Sequence, residues 1–89
     1  MGSKAEEKNV TDLVIQLEKS LIVFNDEVNT FDHVIDTFME VLDYNHVQAE
    51  QCATIIHNKG KYDVKHGSFN DLEPFCTAIL ERGISAEVQ

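Results

Sequence analysis

The chain has no tryptophan, one proline, four glycines and two cysteines, and its 89 residues carry only seven lysines and arginines against sixteen aspartates and glutamates. Each shortage excludes something. The cation deficit leaves a formal net charge of −9 and a pI near 4.6. That balance opposes contact with nucleic-acid phosphates or an anionic membrane and favours a cationic ligand or a basic partner surface. Cys52 and Cys76 lie far apart on apolar helical faces, outside any C-x-x-C or His-rich pair. They read as buried reduced thiols, which favours a cytoplasmic protein. No apolar run is long enough to span a membrane: Leu13 to Leu17 is broken by Gln16, and the charged stretch Met1 to Asn9 has no signal-peptide core. Met1-Gly2 opens like a myristoylation signal, but Glu6 stands where that motif needs a hydroxyl residue. The glycines form no phosphate-cradling loop, and no nucleophile can be matched to a base and an orienting group, so neither catalysis nor a cofactor is expected.

What is present is enough apolar residue, 43%, for one small core. A mobile tail is expected over residues 1–12 and a single domain over 13–89. Ser20 to Asn25 reads as a buried strand, because four consecutive apolar residues run into turn-forming Asn and Asp; Leu13 to Leu17 fits an earlier strand or a short helix equally. Phe31, Val34, Ile35, Phe38 and Leu42 recur at helical spacing, with Asn29 or Thr30 as N-cap and an end near Asp43. A second helix starts at the capping pair Asn45 and Gln48, carries Val47, Ala49, Cys52, Ala53 and Ile56 on its apolar face, and stops at Gly60. Tyr62, Val64 and His66 alternate with polar residues as a half-exposed strand. Ser68 caps a third helix bearing Leu72, Phe75, Cys76, Ile79 and Leu80. Its start is open. From Phe69, Pro74 removes the bond to Asn70; from near Asp71, Pro74 falls harmlessly in the first turn. Ile84, Ala86 and Val88 alternate as a final strand. The order β-α-α-β-α-β predicts an α+β fold, a small antiparallel three-stranded sheet packed on three helices.

Two segments concentrate hydrogen-bonding groups. Asn25-Asp26-Glu27 closes the first strand immediately before a helix start, and His57-Asn58-Lys59-Gly60-Lys61 ends the second helix. Taken singly, each has an ordinary explanation: Asn-Asp is common turn chemistry, and a histidine in a last turn suits the helix dipole. His46 and Glu50 are four apart, but no third ligand stands at convincing spacing, so no metal is expected. Asp71 and Glu73 suit a solvated helix start, and His33 and His66 are expected to face solvent or a helix edge.

Together the two segments resemble the ClpS family of Clp protease adaptors, in which a strand ends in Asn-Asp plus an acidic residue, a helix starts within a few residues, and a second helix ends in His-x-x-Gly-Lys. The element order from Leu21 to Val88 agrees. The resemblance implies that Asn25, Asp26 and His57 hold the free α-amino group of a substrate protein. Its bulky hydrophobic first side chain would enter a pocket lined by Asn29, Phe31, Val34, Ala53 and Ile84. It also implies docking on the amino-terminal domain of a Clp-family AAA+ ATPase, partly through the start of the third helix. Departures are visible: Phe31 and Ala53 stand where members commonly carry methionines, Asn29 replaces a small hydroxyl residue, and Asn70-Asp71-Leu72-Glu73-Pro74-Phe75 departs from the usual charged pattern. The rival of the same fold is a non-catalytic interaction domain, similar to a ribosomal stalk carboxy-terminal domain, with the pocket closed by Phe31. A small enzyme using Asp26 and His57 as acid and base is a third class.

Overall fold

A computed structural model describes residues 18–89; the expectations for the tail and for Leu13 to Leu17 lie outside them. The described chain runs β1 (Lys19–Phe24), α1 (Phe31–Leu42), α2 (His46–Lys59), β2 (Lys61–Gly67), α3 (Phe69–Glu81), β3 (Ala86–Val88). The strands form one antiparallel sheet in the order β2-β1-β3. The predicted α+β architecture is therefore present.

β1 is central but not buried on both faces as its apolar run suggests. Leu21 and Val23 point into the helix layer and are fully buried, whereas Ile22 and Phe24 are only half-buried on the other side. Pairing shifts by one residue between Leu21↔Lys65 and Ile22↔Asp63, which leaves Val64 as the extra residue of a bulge. Beneath the sheet, Ile35, Phe38 and Leu42 of α1 meet Ala49, Cys52, Ala53 and Ile56 of α2 and Leu72, Cys76 and Ile79 of α3. Small residues on α2 allow close approach to the core. Complete burial of a side chain such as Phe38 contributes about 1.5–3 kcal/mol. Val47 does not join this face: it is 66% exposed at the start of α2, and Leu80 is likewise half-exposed on α3.

Helix ends decide where the functional residues fall. Thr30, not Asn29, caps α1, its Oγ1 accepting from the His33 N–H at 3.1 Å. Asn45 Oδ1 accepts from the Gln48 N–H at 2.8 Å, and Gly60, at φ 90°, closes α2 through its own N–H to the Ile56 carbonyl. α3 begins at Phe69, with Ser68 as cap. Of the two starts the sequence allowed, the structure has the one that places Pro74 inside the helix. Asn70 and Pro74 are both exposed, which puts the missing intrahelical bond on the outer side of the helix rather than in the core. At the far end, Gly83 N–H bonds the Leu80 carbonyl at 2.9 Å and Ile84 N–H reaches the Ile79 carbonyl at 3.4 Å. This is the Schellman arrangement, with Gly83 at φ 81°. It turns the chain so that Ile84 enters the core at 1% exposure.

Candidate functional site

β1 and α2 come together because the sheet ladder continues one step beyond the strand. Phe24 pairs with Lys61, and the Asn25 N–H then bonds the Gly60 carbonyl at 2.8 Å. The corner after β1 is thereby fixed to the C-cap of α2, and His57, one turn before that cap, faces Asn25 and Asp26. Between them opens a cavity of about 630 Å³ whose polar side is Asn25, Asp26, Glu27, Asn29 and His57, and whose apolar side is Phe31, Val34, Ala53 and Ile56. Its size is that of a small-molecule or side-chain pocket.

Asp26 is the most constrained of these groups. Its Oδ1 accepts from the backbone N–H of Val28 at 2.9 Å and of Asn29 at 2.7 Å, and its Oδ2 accepts from Asn29 Nδ2 at 2.7 Å. The Asn29 backbone bond first, then the Asn29 side chain, hold the Asp26 carboxyl below its ordinary value of 3.8, so it is ionised at neutral pH. Since three N–H groups already occupy it, about one of its roughly four lone-pair sites remains for a ligand. Among the described residues, no side-chain hydrogen bond engages Asn25, Glu27 or His57, and all three are exposed. The cavity therefore presents an amide oxygen, two carboxylates and an imidazole, all able to accept from a cation.

The apolar side is built by two helices. Phe31 and Val34 come from the first turn of α1, with Phe31 42% exposed at the wall. Ala53 and Ile56, each 3% exposed, form the floor from α2. A small Ala53 opposite a large Phe31 leaves the cavity open rather than closed by the ring.

Of the site residues expected from sequence, Asn25, Asp26, Asn29, Phe31, Val34, Ala53 and His57 line this one cavity. Ile84 does not; it is core, and only its neighbour Gly83 reaches the site, through a carbonyl that accepts from Asn29 Nδ2 at 2.8 Å. Ile56 and Glu27 line the cavity in addition to the residues expected. Ile56 stands three residues after Ala53, hence on the same helix face, a signal present in the sequence. Glu27 is part of the acidic corner, but that Asp26 takes three N–H bonds while Glu27 takes none among the described residues is not readable from spacing.

A second polar constellation is also unforeseen. Ser20 Oγ lies 3.0 Å from His66 Nδ1, and His66 Nε2 lies 3.1 Å from Asp63 Oδ2. These are the residue types of a hydrolytic triad. They lie, however, on the open strand face with His66 and Asp63 about half-exposed, where none of the described residues forms a pocket that would orient a substrate. His33, expected at solvent or a helix edge, sits 2.9 Å from the Arg82 carbonyl through Nε2. Among the described residues, no group of three or more His, Cys, Asp and Glu is placed to hold a metal, and no helix is long and apolar enough to cross a membrane.

Comparison with solved structures finds the same fold in ClpS2 of Agrobacterium tumefaciens bound to L-phenylalaninamide: TM-score 0.70, 12% identity, covering 81% of this chain and 94% of that one. No curated protein matches the sequence. The family model for the ATP-dependent Clp protease adaptor protein ClpS matches residues 18–87, nearly the whole described chain. With the strand-end corner and the helix-end histidine meeting in one cavity, the chain belongs to the ClpS family of Clp protease adaptors.

Proposed function

We propose that this protein binds the free α-amino group and bulky hydrophobic first residue of substrate proteins and delivers them to a Clp-family AAA+ unfoldase for degradation. The observation that carries the reading is a single cavity with acceptors on one side and an apolar floor on the other. An α-ammonium has three N–H donors and a positive charge. Asn25 Oδ1, a carboxylate and an unprotonated nitrogen of His57 match them. Asp26 supplies the fixed negative charge, and Glu27, which is unbonded among the described residues, adds a second at the same cavity. The first side chain then rests against Phe31, Val34, Ala53 and Ile56, where its burial contributes roughly 1.5–3 kcal/mol. No bond is made or broken in this scheme; recognition is hydrogen bonding plus burial.

Support also comes from the family, which is one of adaptors rather than of enzymes, and from the ClpS2 structure, whose ligand is an amino-acid amide with a free amino group and an aromatic side chain. Docking on the ATPase amino-terminal domain through the start of α3 is part of the proposal; Asn70, Asp71, Glu73 and Pro74 are exposed there while Leu72 is buried. The test is a titration with peptides differing only at residue one. Leu, Phe, Tyr or Trp in first place should bind and Ala, Ser or Glu should not; equal affinity across the series removes the pocket from the account.

A further inference from the structure

Asn29 makes more contacts than a pocket wall requires. Its Nδ2 donates one N–H to Asp26 Oδ2 at 2.7 Å and the other to the Gly83 carbonyl at 2.8 Å, while its backbone N–H bonds Asp26 Oδ1. Both partners of the amide are pure acceptors, so only its NH₂ end can face them. One turn along α1, His33 Nε2 bonds the adjacent Arg82 carbonyl, which for the same reason requires the Nε2–H form. The turn that follows α3 is thus fastened twice, to the corner after β1 through Asn29 and to the first turn of α1 through His33. Asn29 is free for this because Thr30 has taken the cap of α1.

We propose that Asn29 is a positioning residue: it bridges Asp26 to the α3–β3 turn and so fixes where a substrate's α-amino group is held, without selecting the first side chain. The inference rests on the function proposed above and assigns Asn29 to the amino-group end of the cavity rather than to the apolar end. Removing the bridge frees one carboxylate oxygen and detaches the corner from Gly83. Asp26 then turns among several orientations, and each costs ligand binding the entropy that the bridge had already removed.

Two variants separate this from a lining role. Asn29→Ala deletes both bonds and enlarges the cavity. Asn29→Asp keeps the shape but sets a carboxylate against Asp26 and against the Gly83 carbonyl. For free-amino peptides beginning with Phe and with Leu, both variants should weaken binding about tenfold or more, the loss typical of a hydrogen bond to a charged group. The Phe-to-Leu affinity ratio should stay within about twofold of wild type. Asn29→Ser, which can donate one bond, should fall between. Without any peptide, hydrogen exchange at the amides of residues 28 and 29, which bond Asp26 Oδ1, should accelerate about tenfold in Asn29→Ala, while amides of the core strand β1 stay protected. Unchanged exchange, unchanged affinity, or a loss confined to one of the two peptides overturns the proposal. The exchange arm decides the bridge by itself. If it accelerates as expected but wild-type protein binds free and acetylated peptides alike, the functional reading has failed and the bridge stands as a property of the fold.

Discussion

Asp26 is where the chemistry of this site is most tightly set. Its carboxylate is held ionised by the Asn29 N–H groups and the Val28 N–H, so the corner that it organises depends on pH with a definite sign. A carboxyl whose folded value is depressed adds stability that is fully present above its unfolded value and is lost as pH falls through the folded one. The stability gap between wild type and Asp26→Asn should therefore be largest at neutral pH and narrow progressively as pH falls from about 3.8 through the lower folded value; denaturant unfolding at pH 7 and at a descending series below 3.8 measures it, and a gap that never narrows along that series would mean that the charge is irrelevant. His57 offers a complementary test by chemistry rather than titration. His57→Gln keeps an acceptor and should retain binding, whereas His57→Lys presents a second ammonium to the first and should abolish it. On the apolar side, Ala53→Met fills the floor beside Phe31 and should weaken the bulkiest first residues by about 1–3 kcal/mol, the usual cost of overpacking. Unchanged affinity for Trp-first and Phe-first peptides would show that Ala53 does not contact the ligand. At this scale the sequence was informative about residue types and poor about partners. Asn25, Asp26 and His57 were visible as acceptors, but whether Asn29 capped a helix or bridged Asp26 to Gly83 depends on contacts across 54 positions of chain. Ile84 looked like a lining residue and is core, because the Schellman turn at Gly83 rotates it inward.

The helices and strands carry their own consequences. α3 keeps Pro74 five residues beyond its start, so the Asn70 carbonyl has no intrahelical partner at an exposed stretch of the helix. Pro74→Ala should raise stability by up to about 3 kcal/mol, less whatever the proline gains by stiffening the unfolded chain; thermal unfolding would show it as a higher Tm, and a lower Tm would mean that Pro74 makes packing contacts worth more than the missing bond. Elements as such were legible: the cap at Asn45 follows from a side chain that bonds locally and the stop at Gly60 from a residue that tolerates positive φ, and both positions agree with the structure. The start of α3 was not, since both alternatives satisfy local rules and the choice is made by Ser68 capping at Asp71 with Leu72 buried in the core. Nor was the bulge opposite Leu21 and Ile22. A one-residue slip leaves no mark in alternation until the partner strand is known, and with it went any sight of Ser20, His66 and Asp63 as neighbours. Val47 misled for a related reason: apolar spacing identifies a helix face but not where that face stops being covered.

Across the whole molecule, one sheet, one helix layer and one cavity account for how the site is assembled. The corner after β1 is tied to the end of α2 by the Asn25–Gly60 bond and to the turn after α3 by Asn29, while His33 of α1 bonds the same turn at the Arg82 carbonyl, so three element ends converge on the cavity. The net charge of −9 draws cations to all of the surface, and a generic attraction has to be separated from recognition of an amino terminus. Surface attraction fades with salt over a Debye length of about 10 Å at 0.1 M, while contacts inside the cavity are screened less. Raising salt should therefore weaken blocked Lys- and Arg-rich peptides more than free-terminus peptides with a bulky first residue. The decisive measurement is titration of the wild-type protein with one Phe-first peptide in two forms, free and acetylated at its amino terminus. The account predicts saturable binding of the free form and none of the acetylated form, which has lost its charge and gained bulk at the acceptor cluster. Equal binding of the two would contradict it, because Asn25, Asp26 and His57 would then recognise something other than an α-amino group.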